Sequence, residues 1–383
     1  MAARTESLPI QRPSEDEQVF IASQWKLIWW RFIRHRVAMA STVVVLAFYF
    51  VALFPEFLAI HDPRAEFATR TFIPPQGVHF FDGFKPSLPY VYGLKGERNP
   101  ETLGMEWVTD EETRHTIQYF VRGHEYKLWG MIRTDWHFMG LNVDTSTEPQ
   151  PFYPLGTDRM GRDMFSRLMY GTRVSMSIGL VGVTLNIFLG CMLGGLSGLR
   201  GGMTDAIIQR IIEFLRAIPT IPLWLALSAA VPRDWSIMRV YFAITIIISL
   251  IEWTRLAREV RGRFLSMREE DFVLAARLYG TNEIRIVFRH MLPSFLSHII
   301  AATTLAIPGI IIAETSLSFL GLGLREPAIS WGVLLQEAQT LQAVAEAAWL
   351  LLPGVFVLIA VMALNFMGDG LRDAADPYAI RES

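Results

Sequence analysis

The chain has 383 residues, 51% of them hydrophobic and 19% charged, with a formal net charge of −2 and a mean hydropathy of +0.30. Soluble domains carry roughly 25% charged residues, so this balance fits several lipid-embedded helices joined by water-exposed segments, and the near-neutral total gives no footprint for nucleic acid. The single cysteine, Cys191, excludes an internal disulfide and a cysteine metal site, and reads as a small buried apolar residue.

At the N-terminus, Trp25, Trp29 and Trp30 alternate with Lys26 and Arg31. That pattern suits an amphipathic helix on the inner membrane face, or an aromatic belt continuous with the span that follows. Residues 37–60 form the first apolar run. It is too long for a signal-peptide core and no small-residue cleavage site follows, so it reads as a retained anchor. Residues 61–170 are a long polar and aromatic segment with paired prolines and glycines. The alternation over 116–122 predicts a strand that turns at Gly123-His124 into 125–130. Its aromatic content predicts a small, ordered, mixed α/β insertion of about 90 residues rather than a linker.

Five further spans follow, each near the ~20 residues a bilayer requires: 174–199, charge-free and glycine-rich; 206–231; 237–257; 294–324, interrupted by Glu314; and 347–368. Asn186 and Asn365 would bond between helices, Glu252 would pair with Arg255, and His298 would serve packing or hydration. The predicted fold is an all-α polytopic membrane protein with six transmembrane helices and a mixed α/β extracytoplasmic insertion. An even count places both termini on one side. Basic residues collect before the first span, and 254–293 holds eight arginines against five acids, so both belong in the cytoplasm. The segment 156–173 opposes this rule, with Arg159, Arg162, Arg167 and Arg173 on the outer side.

Residues 271–293 are a polar wedge between the fourth and fifth spans. Phe272, Ala275, Ala276 and Tyr279 recur at helical spacing, and Gly280 ends that helix. Thr281 would cap a second helix in which Ile284, Val287, Phe288 and Met291 share a face, followed by Leu292 and a stop at Pro293. Such a pair can dock in a partner's groove, or be an amphipathic loop with a solvated basic face.

The spacing of Ala275, Ala276, Gly280, Leu292 and Pro293 resembles the EAA loop of ATP-binding-cassette (ABC) importer permeases, with Leu274 and His290 departing from the pattern. Gly156, Thr157, Asp158, Gly161, Arg162 and Asp163, continuing through Arg173, are similar to the signature before the second span in the dipeptide/oligopeptide/nickel (Opp/Dpp) subfamily. So are 313–323 and 368–377, and the likeness is to its C-type permease. The resemblance implies a type I importer fold and a subunit that is not an enzyme. It implies a heterodimer with a homologous B-type permease, two cytoplasmic ABC ATPases that bind the ATP, and an extracytoplasmic solute-binding protein, in a bacterial cytoplasmic (inner) membrane. The cargo would be peptides or similar solutes. No cofactor or metal is expected in this chain, which contains no Gly-Lys dipeptide and hence no phosphate-binding P-loop.

The expected organisation is a cytoplasmic segment 1–36, a first span 37–60, an outer insertion 61–173, a five-helix core 174–370 containing a coupling loop 258–293, and a tail 371–383. Glu314 follows a flexible Ile-Pro-Gly segment and either faces the translocation path or pairs structurally near the outer surface. Residues 156–173 either help form the binding protein's dock or simply enter the second span. An ion-coupled secondary transporter would show two related halves, which are absent, and an intramembrane hydrolase would need catalytic motifs that the sequence lacks.

Overall fold

Charge-free apolar runs become the long helices of this protein, and their ends are set by prolines, caps and charges. The computed structural model describes residues 24–82, 85–98, 105–141, 152–340 and 347–375. The rest of the N-terminal segment, 1–23, and the tail 376–383, with Asp376 and Pro377 of the C-terminal signature, lie outside the described residues.

Helix α1 (Gln24–Arg34) ends at His35, whose ring accepts a hydrogen bond from Ala38 N and so caps α2 (Arg36–Leu53). The first span is therefore shorter than 37–60. It stops at Phe54, and a single turn, α3 (Pro55–Leu58), follows with proline at its first position. Next comes a four-stranded antiparallel meander: β1 (His79–Asp82), β2 (Lys85–Arg98), β3 (Met105–Leu128) and β4 (Ile132–Leu141). The described residues between 79 and 141 contain strands only, not the mixed subdomain expected. Gly123 does not turn the chain. It sits at a register shift within β3, where a Cβ would lie 2.6 Å from the His137 ring. The turn falls at Trp129-Gly130, both at positive φ.

Helix α4 (Met164–Arg200) fuses the expected entry helix to the second span. The next expected span, 206–231, is broken: α5 (Gly202–Ala217) and α6 (Thr220–Ala229) meet at 85°. Pro219 explains the break, because it forces Ile218 before it into extended backbone. Helix α7 (Ile237–Met267) runs well past 257. Beyond α8 (Asp271–Leu278), a short α9 (Glu283–Arg285) continues through a π-helical stretch (Ile286–Met291) into α10 (Leu292–Thr304) and α11 (Ile307–Phe319). Pro293 thus opens α10 instead of stopping a helix. Its missing N–H matters little in a first turn, and the wider π turn gives its ring room. Helix α12 (Trp331–Glu337), a 3₁₀ turn (Ala348–Leu351) and α13 (Leu352–Ala375) complete the described chain. Among the described residues, five helices are long and apolar enough to cross a membrane, or six if the bent pair is one span.

The core forms where the glycine face of α4 meets α7. Cβ atoms on Gly190, Gly194 and Gly198 would lie 2.9 Å from Leu256, 2.8 Å from Ala257 Cα and closer still to its carbonyl oxygen, and 2.7 Å from Phe264. Small residues of this kind let helix backbones approach where lipid supplies no hydrophobic drive. At one end of the bundle, Phe32 of α1, Ala38 of α2 and Ala374 of α13 are buried together.

Candidate coupling interface and outer ion cluster

The 271–293 wedge has two unlike faces. Val273, Ala276, Ile286, Val287 and Met291 are buried in one cluster with Leu199 of α4 and Val260, Phe264 and Met267 of α7. Arg277 donates to the Leu199 carbonyl at 3.1 Å, and Arg200 pairs with Glu283. Nearby, Arg261 of α7 grips Asp205 of α5 with two 2.6 Å bonds. The wedge is therefore fused to the ends of α4 and α7, and α7 is tied in turn to α5. Its outer face is unpartnered: Phe272, Ala275, Ile284 and Phe288 are exposed with Leu274, and Leu278 and Tyr279 are 89% and 90% exposed. Leu292 is half-buried and Pro293 exposed. The expected helical faces thus divide between core and surface. Gly280, at φ 69°, makes the left-handed turn between the two arms. Asn282, not Thr281, caps the second arm by accepting from Ile284 N, and Thr281 N closes the preceding turn on Ala276 O.

On the opposite side, 156–163 is a self-tied turn. Thr157 Oγ1 accepts from Ile73 N at 2.8 Å and donates to Arg70 O at 2.7 Å, and Trp349 Nε1 donates to Thr157 O at 2.9 Å. Gly156 lies beneath the Trp349 ring. Gly161, at φ 73°, lets the loop close so that Asp158 Oδ1 accepts from Met160 N and Arg162 N. Asp163 caps α4, accepting from Phe165 N and Ser166 N at 3.1 Å each.

That turn holds a buried ion cluster which sequence reading caught only in part. Arg162 bonds Asp158, Glu326 and Glu337 at 2.7, 2.8 and 2.7 Å, and Arg167 reaches Glu337 at 2.7 Å and Glu326 at 3.0 Å. Glu326 and Glu337 come from the stretch between the last two spans, where no motif or periodicity marks them. Two guanidiniums face three close carboxylates, with the exposed Glu66 a further 3.8 Å from Arg162, so negative charge is in excess. Burial accordingly pushes the Glu337 carboxyl up to about 8, against the pull of Arg167. Burial acts on Glu326 too, but hydrogen bonds from Glu337 and Arg167 and the charge of Arg162 hold it low. Arg173 chelates Glu56. So three of the four arginines expected on the outer side, against the charge rule, are neutralised by carboxylates, and Arg159 alone of them is exposed.

Glu314 is fully buried. Its carboxylate accepts from Ser318 and Ser330 at 2.8 Å and from Ser175 at 3.3 Å, which ties α11 to α4 and to the start of α12. Two other expectations change, for Asn186 and Arg255, while His298 keeps its expected packing role. Asn186 Oδ1 is buried without a donor among the described residues, beside a cavity of about 220 Å³. Arg255 pairs with Glu259 at 3.4 Å, one turn on, rather than with Glu252. His298 stacks on Phe295 and lies 3.5 Å from Glu259. Cys191 is buried as expected. Among the described residues no cluster of His, Cys, Asp or Glu could hold a metal ion.

Comparison with known proteins decides what this architecture is. Residues 187–381 match the profile of the binding-protein-dependent transport system inner membrane component. The chain belongs to that family. Residues 23–75 also match the N-terminal TM domain of oligopeptide transport permease C. The oligopeptide transport system permease protein OppC of Bacillus subtilis is 36% identical over 62% of this chain and 75% of its own length. OppC of Haemophilus influenzae is 36% identical over 64% and 75%, and the dipeptide permease DppC of B. subtilis 35% over 61% and 72%. A solved inward-facing MetNI methionine ABC transporter overlaps 55% of this chain and 97% of its own, with TM-score 0.42 and 18% identity. This protein is thus a C-type permease of the Opp/Dpp group, the non-catalytic transmembrane subunit of an ABC importer. The strands lie outside both family profiles, between residues 75 and 187.

Proposed function

We propose that this permease carries peptides across a bacterial cytoplasmic membrane, paired with a homologous B-type permease and driven by two cytoplasmic ATPases that bind the ATP. An extracytoplasmic solute-binding protein would deliver the cargo. Peptide cargo rests on the names of the relatives, which are oligopeptide and dipeptide permeases. Six crossings with both termini inside rest on helix polarity. The start of α2 packs against the end of α13, so the first and last spans are antiparallel, which requires an even number of crossings. The bent α5–α6 pair then counts as one. The organisation proposed keeps the outer insertion at 61–173, the core at 174–370 and the coupling loop at 258–293.

The observation that carries the reading is the two-faced wedge. Its inner face is packed on the permease core, while its outer face leaves aromatic and aliphatic side chains bare beside basic residues. A motor pressing on Phe272, Tyr279, Ile284 and Phe288 would move Val273, Ala276, Val287 and Met291, and with them the ends of α4 and α7. Rigid-body rocking of the spans would then expose the path alternately to each side. Glu314 would join that movement by exchanging its hydroxyl partners as α12 shifts. The turn 156–163 would hold the outer rim of the path beside the binding protein.

The test is Tyr279→Ala in the reconstituted importer. Peptide-stimulated ATP hydrolysis should fall while folding is unchanged, since so exposed a side chain contributes within about 0.5 kcal/mol to stability. Undiminished hydrolysis would count against the coupling role. A thiol placed at Tyr279 should also escape membrane-impermeant reagents applied to intact cells.

A further inference from the structure

Two independent contacts fix how the outer sheet sits on the bundle. His137 of β4 bonds the Ala59 carbonyl through Nδ1 at 2.7 Å, and Trp129, at the β3–β4 turn, donates from Nε1 to the Leu53 carbonyl at 2.7 Å. Ala59 lies beyond α3, and Leu53 is the last residue of the first span. Going from His137 to the turn, the hairpin therefore runs back toward the membrane and ends level with the span's terminus. The series of tilted rings Phe50, Phe54 and Trp129, with centroids 5.1 and 5.5 Å apart, continues the span's aromatic edge onto the hairpin.

The level of Leu53 is marked a second time. Arg173 donates to the carbonyls of Ala52 at 2.8 Å and Leu53 at 3.0 Å. It is also the last charged residue before the charge-free run 174–199 of the second span. An arginine in that place marks the boundary between hydrocarbon and headgroups. The hairpin tip at the same boundary bares Trp129, Met131 and Ile132, with Met131 76% exposed. Behind the tip, Lys127 and Arg133 face each other across the strands, both exposed. The tip also prolongs a stripe of exposed apolar residues on the first span, Val43, Leu46, Phe50 and Leu53, spaced three and four apart along one helix face.

We propose that the β3–β4 tip inserts into the headgroup region of the outer leaflet and anchors the sheet to the lipid surface. Tryptophan and methionine would occupy the interface, with Lys127 and Arg133 meeting lipid phosphates. The inference rests on the reading of Arg36–Leu53 as a membrane span. It commits to phospholipid rather than to a neighbouring subunit because the bare patch continues a lipid-facing stripe and is flanked by cations.

The full chain, purified in its native assembly and reconstituted into phosphatidylethanolamine/phosphatidylglycerol vesicles, tests it. Nitroxide labels would be placed at Met131→Cys, at Leu46→Cys within the span, and at Val108→Cys near the distal start of β3, all in a Cys191→Ala background. Electron paramagnetic resonance then compares collision with oxygen, which partitions into lipid, and with a water-soluble nickel chelate. The Met131 label should show an oxygen-to-nickel ratio several-fold above that at Val108. A ratio equal to Val108 means the tip stands in water, and low access to both reagents means a protein neighbour covers it; either result overturns the proposal. If nickel reached Leu46 freely, the spanning assignment would fall and take the anchor with it, whereas a normal Leu46 with a wet Met131 would remove the anchor alone.

Discussion

Arg167 and Glu337 are bonded at 2.7 Å within one buried cluster, yet the charge count assigns them very different weights. Replacing Arg167 by methionine keeps most of the side-chain volume and removes one of two guanidiniums facing Asp158, Glu326 and Glu337. Arg167 is almost completely buried, so the carboxylates left behind cannot recover water. Breaking a buried pair from one side costs about 3–5 kcal/mol. Glu337→Gln removes a carboxyl already protonated at neutral pH, since its pKa stands at about 8. It should therefore cost no more than about 1 kcal/mol at pH 7. The pH dependence follows with a definite sign. The folded value lies above the unfolded carboxyl value, so the folded state holds an extra proton between them. The stability from that proton is complete below the unfolded value and is lost as pH rises through about 8. Glu326 is ionised in both states across this interval and adds no slope. The wild-type protein should lose up to ~1.4 kcal/mol per pH unit as neutral pH is approached and passed, levelling off above pH 8, whereas Glu337→Gln should lack that loss. Unfolding in detergent, followed by tryptophan fluorescence from pH 6 to 9, reads both quantities. A Glu337→Gln variant as damaged as Arg167→Met at pH 7, or one retaining the wild-type slope, would refute the shared-proton account.

Two further substitutions probe the scaffold. Asp163→Ala removes both capping bonds at the start of α4 and should cost about 1–2 kcal/mol, with Asp163→Asn recovering most of it, as measured by the same unfolding experiment. Gly194→Leu would drive a side chain into the Ala257 backbone, so overpacking by about 1–3 kcal/mol or more should abolish monodisperse protein on size exclusion, while Gly262→Ala, facing open space, should not.

The wedge shows how far sequence can reach. Helical spacing and Gly280 located its two arms and the turn between them, because those signals are local. Spacing could not say which of eight apolar residues face inward. That depends on where the ends of α4 and α7 lie, and they claim Ala276, Val287 and Met291 together with Val273 and Ile286. The same limit hid the cap at Asn282, because the fold places Asn282 rather than Thr281 directly before the second arm.

By itself the sequence determined the membrane class, the charge-free spans and the position of the cationic wedge, since hydropathy and charge act residue by residue along the chain. Only the tertiary structure decided that Pro293 opens a helix, and that Glu326 and Glu337 complete the charge of Arg162 and Arg167. Each of those outcomes depends on atoms more than a hundred residues apart, or on the room left by neighbouring turns. Burial then fixes the energies, because a charge removed from water must find its partner wherever the fold brings one.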